Sequence, residues 1–283
     1  MRCLESGLSA QAEKRCRRSG GIERVVLGWF KKRRRRQLLR EPFPREWWEH
    51  LRHNLPLYRS LPPPLQIRLR DLVRIFVAEK EWVGCNGLEI TDEIRVTIAA
   101  QACLLLLGFD DVDFCYDGVA TILVYPGAFA AADLPNTLGL VSPGMPTYGE
   151  AWQRGPVVLS WEHAVEGARH GDDGRNLVIH EFAHQIDGLD GHMDGTPPLP
   201  SGQIEQRWQE VLESEYGRLV RRLQEGHPTL LDPYAATNRA EFFAVSTEFF
   251  FERPAELSRH HPAWYGLLRE LYQTDPAHWS GRA

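Results

Sequence analysis

The chain has few cysteines, and their arrangement is not that of a structural thiol site. It contains five, an odd number, and no two of them form a CxxC pair. This pattern argues against a disulfide framework and against a zinc site made of cysteine thiolates. Because free thiols persist in a reducing compartment, we expect the protein to be cytoplasmic.

Long hydrophobic runs are also lacking. The most extended apolar stretch, around residues 99–108, is far short of the roughly 20 residues that a membrane-spanning helix needs. The apolar part of the N-terminal region, residues 25–27, is too short for a secretory signal. We therefore expect no membrane span. With 43% hydrophobic residues, the chain can bury a substantial core.

Basic charge is scarce outside the N-terminal region. Residues 1–40 hold 13 Lys and Arg against 3 Asp and Glu, whereas the remainder holds 20 against 35. The acidic remainder argues against direct nucleic-acid binding, which needs a basic surface. We interpret the run KKRRRR at residues 31–36 as solvated charge before the first helix; contact with a membrane surface or nucleic acid is the alternative.

The hydrophobic periodicity predicts one α+β domain. Residues 1–28 lack a helical or strand period, so we expect either a disordered extension or a start site placed too early. Residues 29–283 are expected to form a single domain, mostly helical with a small mixed sheet. Strands are predicted at residues 120–127 and 155–161. The later helices are predicted at about residues 174–187, 202–224, 238–252 and 262–273.

The most informative motif is HEFAH, residues 180–184, inside an apolar stretch with a helical period. His180 and His184 are four residues apart, so on a helix both imidazoles leave the same face and can share a zinc ion. Glu181 would then lie beside the open position of the metal, where it can accept a proton from the attacking water. The alternative is a polar helix face without a metal.

A zinc site of this type needs a third protein ligand, and three acidic residues are candidates. Asp190 would require the helix to continue, but the glycine that this arrangement needs is displaced to position 188. Glu205 lies in a segment whose glutamates are more simply explained as a solvated face. Glu241 is followed by the apolar residues 242–245, so it should be buried, where a carboxylate is costly unless it is paired or bound to a metal. We favour Glu241.

Three further polar residues have candidate roles around this site. Tyr234 precedes Glu241 by seven residues, and its phenol can donate a hydrogen bond to the oxyanion at the attacked carbonyl; the alternative is a packed loop aromatic. Asp187 can orient the second ring nitrogen of His184, or make a polar contact at the end of the helix. Glu248 lies on the face of Glu241 and is expected to form an ion pair or a contact behind the ligands.

Two segments together resemble a known family. NLVIHEFAHQIDG (176–188) and DPYAATNRAEFFAVSTEFFF (232–251) are similar to the Mlc titration factor A family, glucose-regulated zinc metallopeptidases of bacterial cytosol with a zincin-type domain. The resemblance extends over roughly residues 29–280. It implies zinc held by His180, His184 and Glu241, with Glu181 as catalytic base. It also implies aminopeptidase-like activity and the binding of a sugar-responsive, Mlc-like transcriptional repressor.

Tyr234 and Ser142 differ in how well they match known zinc peptidases. The spacing of Tyr234 and Glu241 is similar to that in the catalytic domain of anthrax lethal factor, which supports the oxyanion role of Tyr234. Ser142 stands where the enterobacterial pattern has a histidine that can reach the metal. Because serine cannot replace that ligand, a gating role is not carried over to this position. The three-ligand site does not depend on it.

The function predicted is a zinc peptidase acting on peptide substrates. Residues 155–161 (GPVVLSW) are the candidate edge strand along which substrate would pair, with an ordinary core strand as the alternative. Candidate acids for capturing a free amine are Glu150, Glu162 and Asp194, and the sequence does not rank them. The alternative function is a zinc-containing regulator that sequesters a transcription factor with little catalysis.

Overall fold

Helices make up most of the described chain. The computed structural model describes residues 30–109, 116–130, 146–147, 149–151 and 155–279. The chain divides into two compact units, Met1–Pro42 and Phe43–Ala283, and the described part of the first contains one helix, α1, at residues 30–38. The helices of the second unit are Arg45–Asn54 (α2), Leu57–Ser60 (α3), Pro63–Glu79 (α4), Asp92–Leu104 (α5), Trp161–Arg169 (α6), Leu177–Asp187 (α7), Gly202–Gln224 (α8), Arg239–Glu252 (α9), Pro254–His260 (α10) and Pro262–Tyr272 (α11).

The strands are short and form two sheets among the described residues. They are Glu81–Gly84 (β1), Thr121–Tyr125 (β2), Phe129–Ala130 (β3), Pro146–Thr147 (β4), Gly149–Ala151 (β5) and Val157–Ser160 (β6). The larger sheet has the order β1-β2-β6-β5, in which β1, β2 and β6 are parallel and β5 is antiparallel to β6. Strands β3 and β4 form an antiparallel pair. The small mixed sheet among many helices confirms the predicted α+β class.

The prediction that residues 155–161 form an edge strand is wrong. Strand β6 pairs with β2 on one side and with β5 on the other, so it lies inside the sheet. Pro156 stands just before the strand and therefore removes no hydrogen bond from its ladder. All four residues of β6 are buried, as expected for a strand covered on both faces. The edge position belongs to β5, whose three residues are too few to show a strand period.

Asparagine caps fix where α7 and α9 begin. The Asn176 side chain accepts a hydrogen bond from the Ile179 amide at 2.9 Å, and the Asn238 side chain accepts one from the Glu241 amide at 2.9 Å. Each cap satisfies an amide that the helix itself leaves without a partner. Glu241 occupies the third position of α9, where a carboxylate is also favoured by the positive end of the helix dipole.

Aromatic packing holds both helices in the core. On α7, the Phe182 ring packs edge to face on Phe76 and Tyr116, at centroid distances of 5.5 and 4.6 Å. On α9, Phe243 packs against Trp208 at 6.0 Å and Phe250 stacks on Tyr272 at 5.5 Å. Burying such rings stabilises a fold by roughly 1.5–3 kcal/mol for each large side chain. The two helices are therefore rigid supports for the polar groups that they carry.

Two further comparisons with the sequence concern helices. Helix α5 ends at Leu104 and is followed by turns up to Gly108. A Cβ at Gly108 would lie 2.2 Å from the Tyr272 carbonyl oxygen, so the glycine there permits a close backbone approach. Among the described helices, none is both long enough and apolar enough to cross a membrane.

Candidate metal centre

Three side chains from α7 and α9 converge on one point. Nε2 of His180 lies 3.2 Å from Nε2 of His184 and 3.0 Å from Oε2 of Glu241, and the last two atoms are 3.5 Å apart. We call these residues the His-His-Glu cluster. Among the described residues, these three form the one group whose side chains lie close enough together to bind a metal ion. Its side chains are largely buried, between 10 and 15% exposed.

The separations in the cluster fit a divalent cation. Two ligand atoms at about 2.0–2.1 Å from a tetrahedral zinc lie about 3.3 Å from one another. The three observed separations, 3.0, 3.2 and 3.5 Å, bracket that value. Two imidazoles and one carboxylate are also a donor set that zinc favours when one position is left open for chemistry. The donor atoms of the cluster are therefore spaced as those of zinc ligands are.

The two predicted catalytic residues lie beside the cluster. Glu181 is 4% exposed, and its charge acts on both His180 and Tyr234. The Tyr234 ring lies 6.0 Å from the His180 ring, centroid to centroid, and is itself 53% exposed. A half-exposed phenol next to buried ligands is a group that a bound substrate can contact. The structure thus brings the two predicted catalytic residues next to the three predicted metal ligands.

Comparisons with known proteins identify the family of this chain. The sequence profile of the family described as glucose-regulated metallo-peptidase M90 matches residues 29–273. An uncharacterised protein of Synechocystis sp. is 41% identical over 246 residues, which is 86% of this chain and 89% of the relative. Proteins of Yersinia pestis and Yersinia pseudotuberculosis named Mlc titration factor A are 32% identical over 238 residues, 82% of this chain and 85% of theirs.

The chain belongs to the glucose-regulated M90 metallopeptidase family. This is the family that the motifs around residues 176–188 and 232–251 predicted. Its membership, with the helical architecture and small sheet, also confirms the zincin-like fold class. A metallopeptidase family implies a divalent metal, and the His-His-Glu cluster is where this member can hold one.

A buried carboxylate lies behind the first histidine of the cluster. Nδ1 of His180 is 2.8 Å from Oε1 of Glu248, the residue for which the sequence suggested a contact behind the ligands. Burial lowers the pKa of His180, but its hydrogen bonds to Glu241 and Glu248 outweigh that effect and raise the pKa well above the ordinary value. Burial raises the pKa of Glu248. Positive charge, from a proton or a cation, is therefore strongly favoured between these carboxylates.

The other groups of the centre respond to the same charges. Burial raises the pKa of Glu241, but the hydrogen bonds to His180 and His184 outweigh it and lower the pKa to about 2. Burial, followed by the negative charges of Glu241 and Glu181, raises the pKa of Tyr234 to about 12. Tyr234 is therefore a protonated phenol at neutral pH, which is the form that can donate a hydrogen bond.

The competing third ligands lie outside the cluster. Asp190 is exposed on the turn after α7, where its carboxylate accepts a hydrogen bond from the His192 amide at 2.9 Å. Glu205 is exposed in the first turn of α8. Of the three acids that the sequence offered, Glu241 is therefore the one that lies against both histidines.

Asp187 does not make the hydrogen bond expected of it. Its Oδ2 accepts from the Gly195 amide at 2.9 Å, while its Oδ1 and Nδ1 of His184 have no hydrogen-bond partner among the residues described. Burial raises the pKa of Asp187 to about 7. The observed contact of this carboxylate is thus with the loop after α7, which it ties back to the helix.

Of the remaining predicted positions, only Glu162 and Asp194 have described side chains. Ser142 lies outside the described residues. Glu162 and Asp194 are exposed, and Asp194 accepts a hydrogen bond from the Thr196 amide. Glu150 belongs to strand β5, of which only the backbone is described. The candidates for an amine-binding acid are therefore not separated by these contacts.

Sequence reasoning missed two residues that support the centre, Asn176 and Glu252. Asn176 donates from its side chain to Glu252 at 3.0 Å and caps α7. A signal for them was present, because Glu241, Glu248 and Glu252 are spaced by seven and four residues and so share one helical face. That spacing places three carboxylates in a row on a helix that is otherwise almost wholly apolar.

Proposed function

We propose that this chain is a zinc-dependent peptidase in which His180, His184 and Glu241 bind the metal. The observation that carries the proposal is the convergence of their three donor atoms within 3.0–3.5 Å beside Glu181. Glu181 is adjacent to the first histidine, so it lies next to the cluster without being part of it. A closed structural site would have no use for a buried carboxylate in that place.

The proposed reaction is hydrolysis of a peptide bond by water. When bound, zinc supplies Lewis acidity, which polarises a carbonyl oxygen and makes water more acidic. Glu181 accepts the proton that the attacking water loses and passes it to the leaving amine. Glu181 is 4% exposed, so it lies in the buried part of the centre beside its neighbour His180.

We propose that Tyr234 stabilises the oxyanion that forms at the attacked carbonyl. Its raised pKa, about 12, keeps the phenol protonated, and its half-exposed ring stands beside His180. A donor aimed at developing negative charge stabilises the transition state more than the ground state. Tyr234 reaches this place on the short turn Pro233–Ala236, which Asp232 caps by accepting from the Tyr234 amide.

The substrate is proposed to pair with strand β5 rather than with β6. Among the described strands, β5 is the outer member of the larger sheet on the side of β6, and it contacts α7 directly. An extended peptide can add to such an edge through backbone hydrogen bonds. A substrate paired in this way would lie close to α7, the helix that bears His180 and His184.

Aminopeptidase-like cleavage and a cytoplasmic location complete the proposal. Both are supported by the family resemblance, and the free thiol Cys85 is compatible with a reducing compartment. The test is hydrolysis of alanine and leucine anilides by the protein as purified, after chelation and after return of zinc. We expect activity that is lost with the metal and restored by it. Hydrolysis that survives complete metal removal would contradict the proposal.

A second candidate function is the binding of a transcriptional repressor. The observation that favours it is the name of the Yersinia relatives, Mlc titration factor A. The two functions make different demands on Glu181, because capture of a repressor does not need a base. A protein that binds an Mlc-like repressor equally well with Glu181 or Gln at this position, and hydrolyses no anilide in either form, would be a regulator alone.

A further inference from the structure

The polar residues of α7 and α9 form a ladder across the contact between the two helices. Asn176 contacts Glu252, His180 contacts Glu248, and His184 contacts Glu241. Because the numbers rise along α7 and fall along α9, the two helices pack in antiparallel fashion. We call these three pairs the polar ladder. One end of it holds the proposed metal ligands, and the other end lies at the loop where α7 begins.

Helical geometry explains why the ladder is straight. Asn176, His180 and His184 recur every four residues, and the partner glutamates are spaced by seven and four residues, so each set occupies one face of its helix. The neighbouring faces are apolar, as Phe182 and Phe243, both 0% exposed, illustrate. Polar groups in such an interface are costly unless each has a partner.

The half of the ladder away from the metal is densely hydrogen-bonded. Glu248 accepts from Nδ1 of His180 with one oxygen and from the Asn176 amide with the other. Glu252 accepts from the Asn176 side-chain amide at 3.0 Å and from the Gly174 backbone amide at 3.1 Å. The Asn176 side-chain oxygen accepts from the Ile179 amide. Asn176 therefore uses its backbone amide and both ends of its side chain at once.

We infer that Glu248, Asn176 and Glu252 act as one positioning unit that sets the place of His180 before a metal binds. Glu248 holds a proton on Nδ1 of the imidazole, which leaves the Nε2 lone pair for a cation. Glu252 contacts neither His180 nor the other proposed ligands in the described hydrogen bonds, and it acts by fixing Asn176 and Gly174. The inference rests on the proposed function, since it concerns how that site is prepared.

The Asn176–Glu252 pair allows a test by exchange of its two groups. In Glu252→Gln, the side-chain oxygen of the introduced glutamine can still accept a hydrogen bond from Gly174. The NH₂ group of the same side chain then faces the NH₂ group of Asn176. In Asn176→Asp, two carboxylates face each other. The double variant Asn176→Asp/Glu252→Gln restores one donor and one acceptor in reversed direction, and the aspartate introduced on α7 still offers an oxygen to the Ile179 amide. The matched control is Glu256→Gln. Glu256 lies on α10, is partly exposed and pairs with Arg253.

The measurement is metal binding itself. Zinc dissociation constants are obtained by competition with a chromogenic chelator, and the visible absorption spectrum of the cobalt-substituted protein reports ligand geometry. We expect each single exchange to weaken zinc binding about tenfold, the double variant to regain most of that loss, and Glu256→Gln to bind as the wild type does. Glu248→Gln should weaken binding by about 10- to 100-fold. The variants that bind zinc more weakly should also show a changed absorption spectrum when cobalt replaces zinc.

Several results would overturn the inference. If the single exchanges lower the melting temperature but leave the zinc dissociation constant and the cobalt spectrum as in the wild type, the unit is only structural. If the double variant binds zinc no better than the worse single variant, the pair does not act through the observed hydrogen bond. Should Glu252→Gln fail to fold, the double variant and Glu248→Gln still decide the matter. A wild-type protein that binds no zinc would instead refute the proposed function.

Discussion

Nε2 of His180 lies 3.0 Å from Oε2 of Glu241, although the two residues stand on separate helices. The contact depends on how α7 and α9 pack, and it distinguishes Glu241 from Asp190 and Glu205, which lie outside the cluster. Asparagine followed three residues later by glutamate, as in Asn238 and Glu241, is a pattern in which the glutamate can reach back to the start of its own helix. Here the carboxylate contacts two histidines instead.

Replacing Glu241 with alanine should remove one of three protein ligands. We expect zinc content, measured on protein purified without chelator, to fall well below one ion per chain, because two imidazoles hold zinc much less tightly than three ligands do. Glu205→Ala and Asp190→Ala are the matched controls and should keep full metal content, since both residues are exposed and outside the cluster. Full zinc content in Glu241→Ala would reopen the choice of ligand.

The substitution Glu181→Gln should separate metal binding from catalysis. The amide is nearly isosteric but cannot accept a proton, so we expect kcat for anilide hydrolysis to fall by about 100- to 10,000-fold with one zinc still bound. Glu205→Gln is a control for the same chemical change at an exposed position. If the variant turns over as fast as the wild type, a different group is the base.

Loss of the Tyr234 hydroxyl should affect the transition state more than substrate binding. In Tyr234→Phe we expect kcat to fall by about 100-fold with little change in KM, because the hydrogen bond forms to charge that develops only during reaction. Tyr216→Phe removes a hydroxyl that donates to the Ala236 carbonyl on the same turn, so it controls for local structure. Equal effects of both substitutions on kcat would assign Tyr234 a structural role.

The buried Asp187 should give the metal-free protein a measurable pH dependence of stability. Burial raises its pKa to about 7, whereas in the unfolded chain its pKa is about 3.9. Between these values the folded state binds more protons than the unfolded state. The contribution of Asp187 to the free energy of unfolding therefore decreases as pH rises from about 4 to about 7.

Urea unfolding of the wild type and of Asp187→Asn checks this prediction. The asparagine cannot titrate, so the variant should gain stability relative to the wild type as pH rises through that window and should level off above about pH 7. Asp190→Asn, at an exposed neighbour, should show no such trend. Parallel curves for the wild type and Asp187→Asn would mean that the carboxyl titrates normally.

Gly174 should tolerate no side chain. Its φ angle is +81°, and a Cβ there would lie 2.6 Å from a ring carbon of Phe249. Gly191 also has a positive φ, +100°, but a Cβ there would meet nothing within 4 Å. We expect Gly174→Ala to lower the free energy of unfolding by about 1–3 kcal/mol more than Gly191→Ala does, because only the first adds a steric conflict to the backbone strain. If chemical denaturation shows that both substitutions lower the free energy of unfolding equally, the loop at Gly174 can move to accommodate a side chain.

Much of the architecture was predictable because its signals are local. The helices around residues 177–187 and 239–252 were predicted from their apolar pattern, and the prediction placed both within about three residues of their ends. The position of β6 in its sheet was mispredicted, since the neighbour β5 has only three residues, Gly149–Ala151, and carries no strand pattern. Strand order depends on long-range pairing, which a local window does not contain.

The sequence by itself determined the spacing of His180 and His184, the carboxylate beside them and the family, because these depend on one helical turn and on motifs that lie in short segments. Tertiary structure alone decided that Glu241 meets the histidines, that Glu248 lies behind His180 and that Glu252 holds Asn176. The reason is physical: each of these contacts joins residues that are distant in the chain, and it exists only where the packed core sets α7 and α9 side by side.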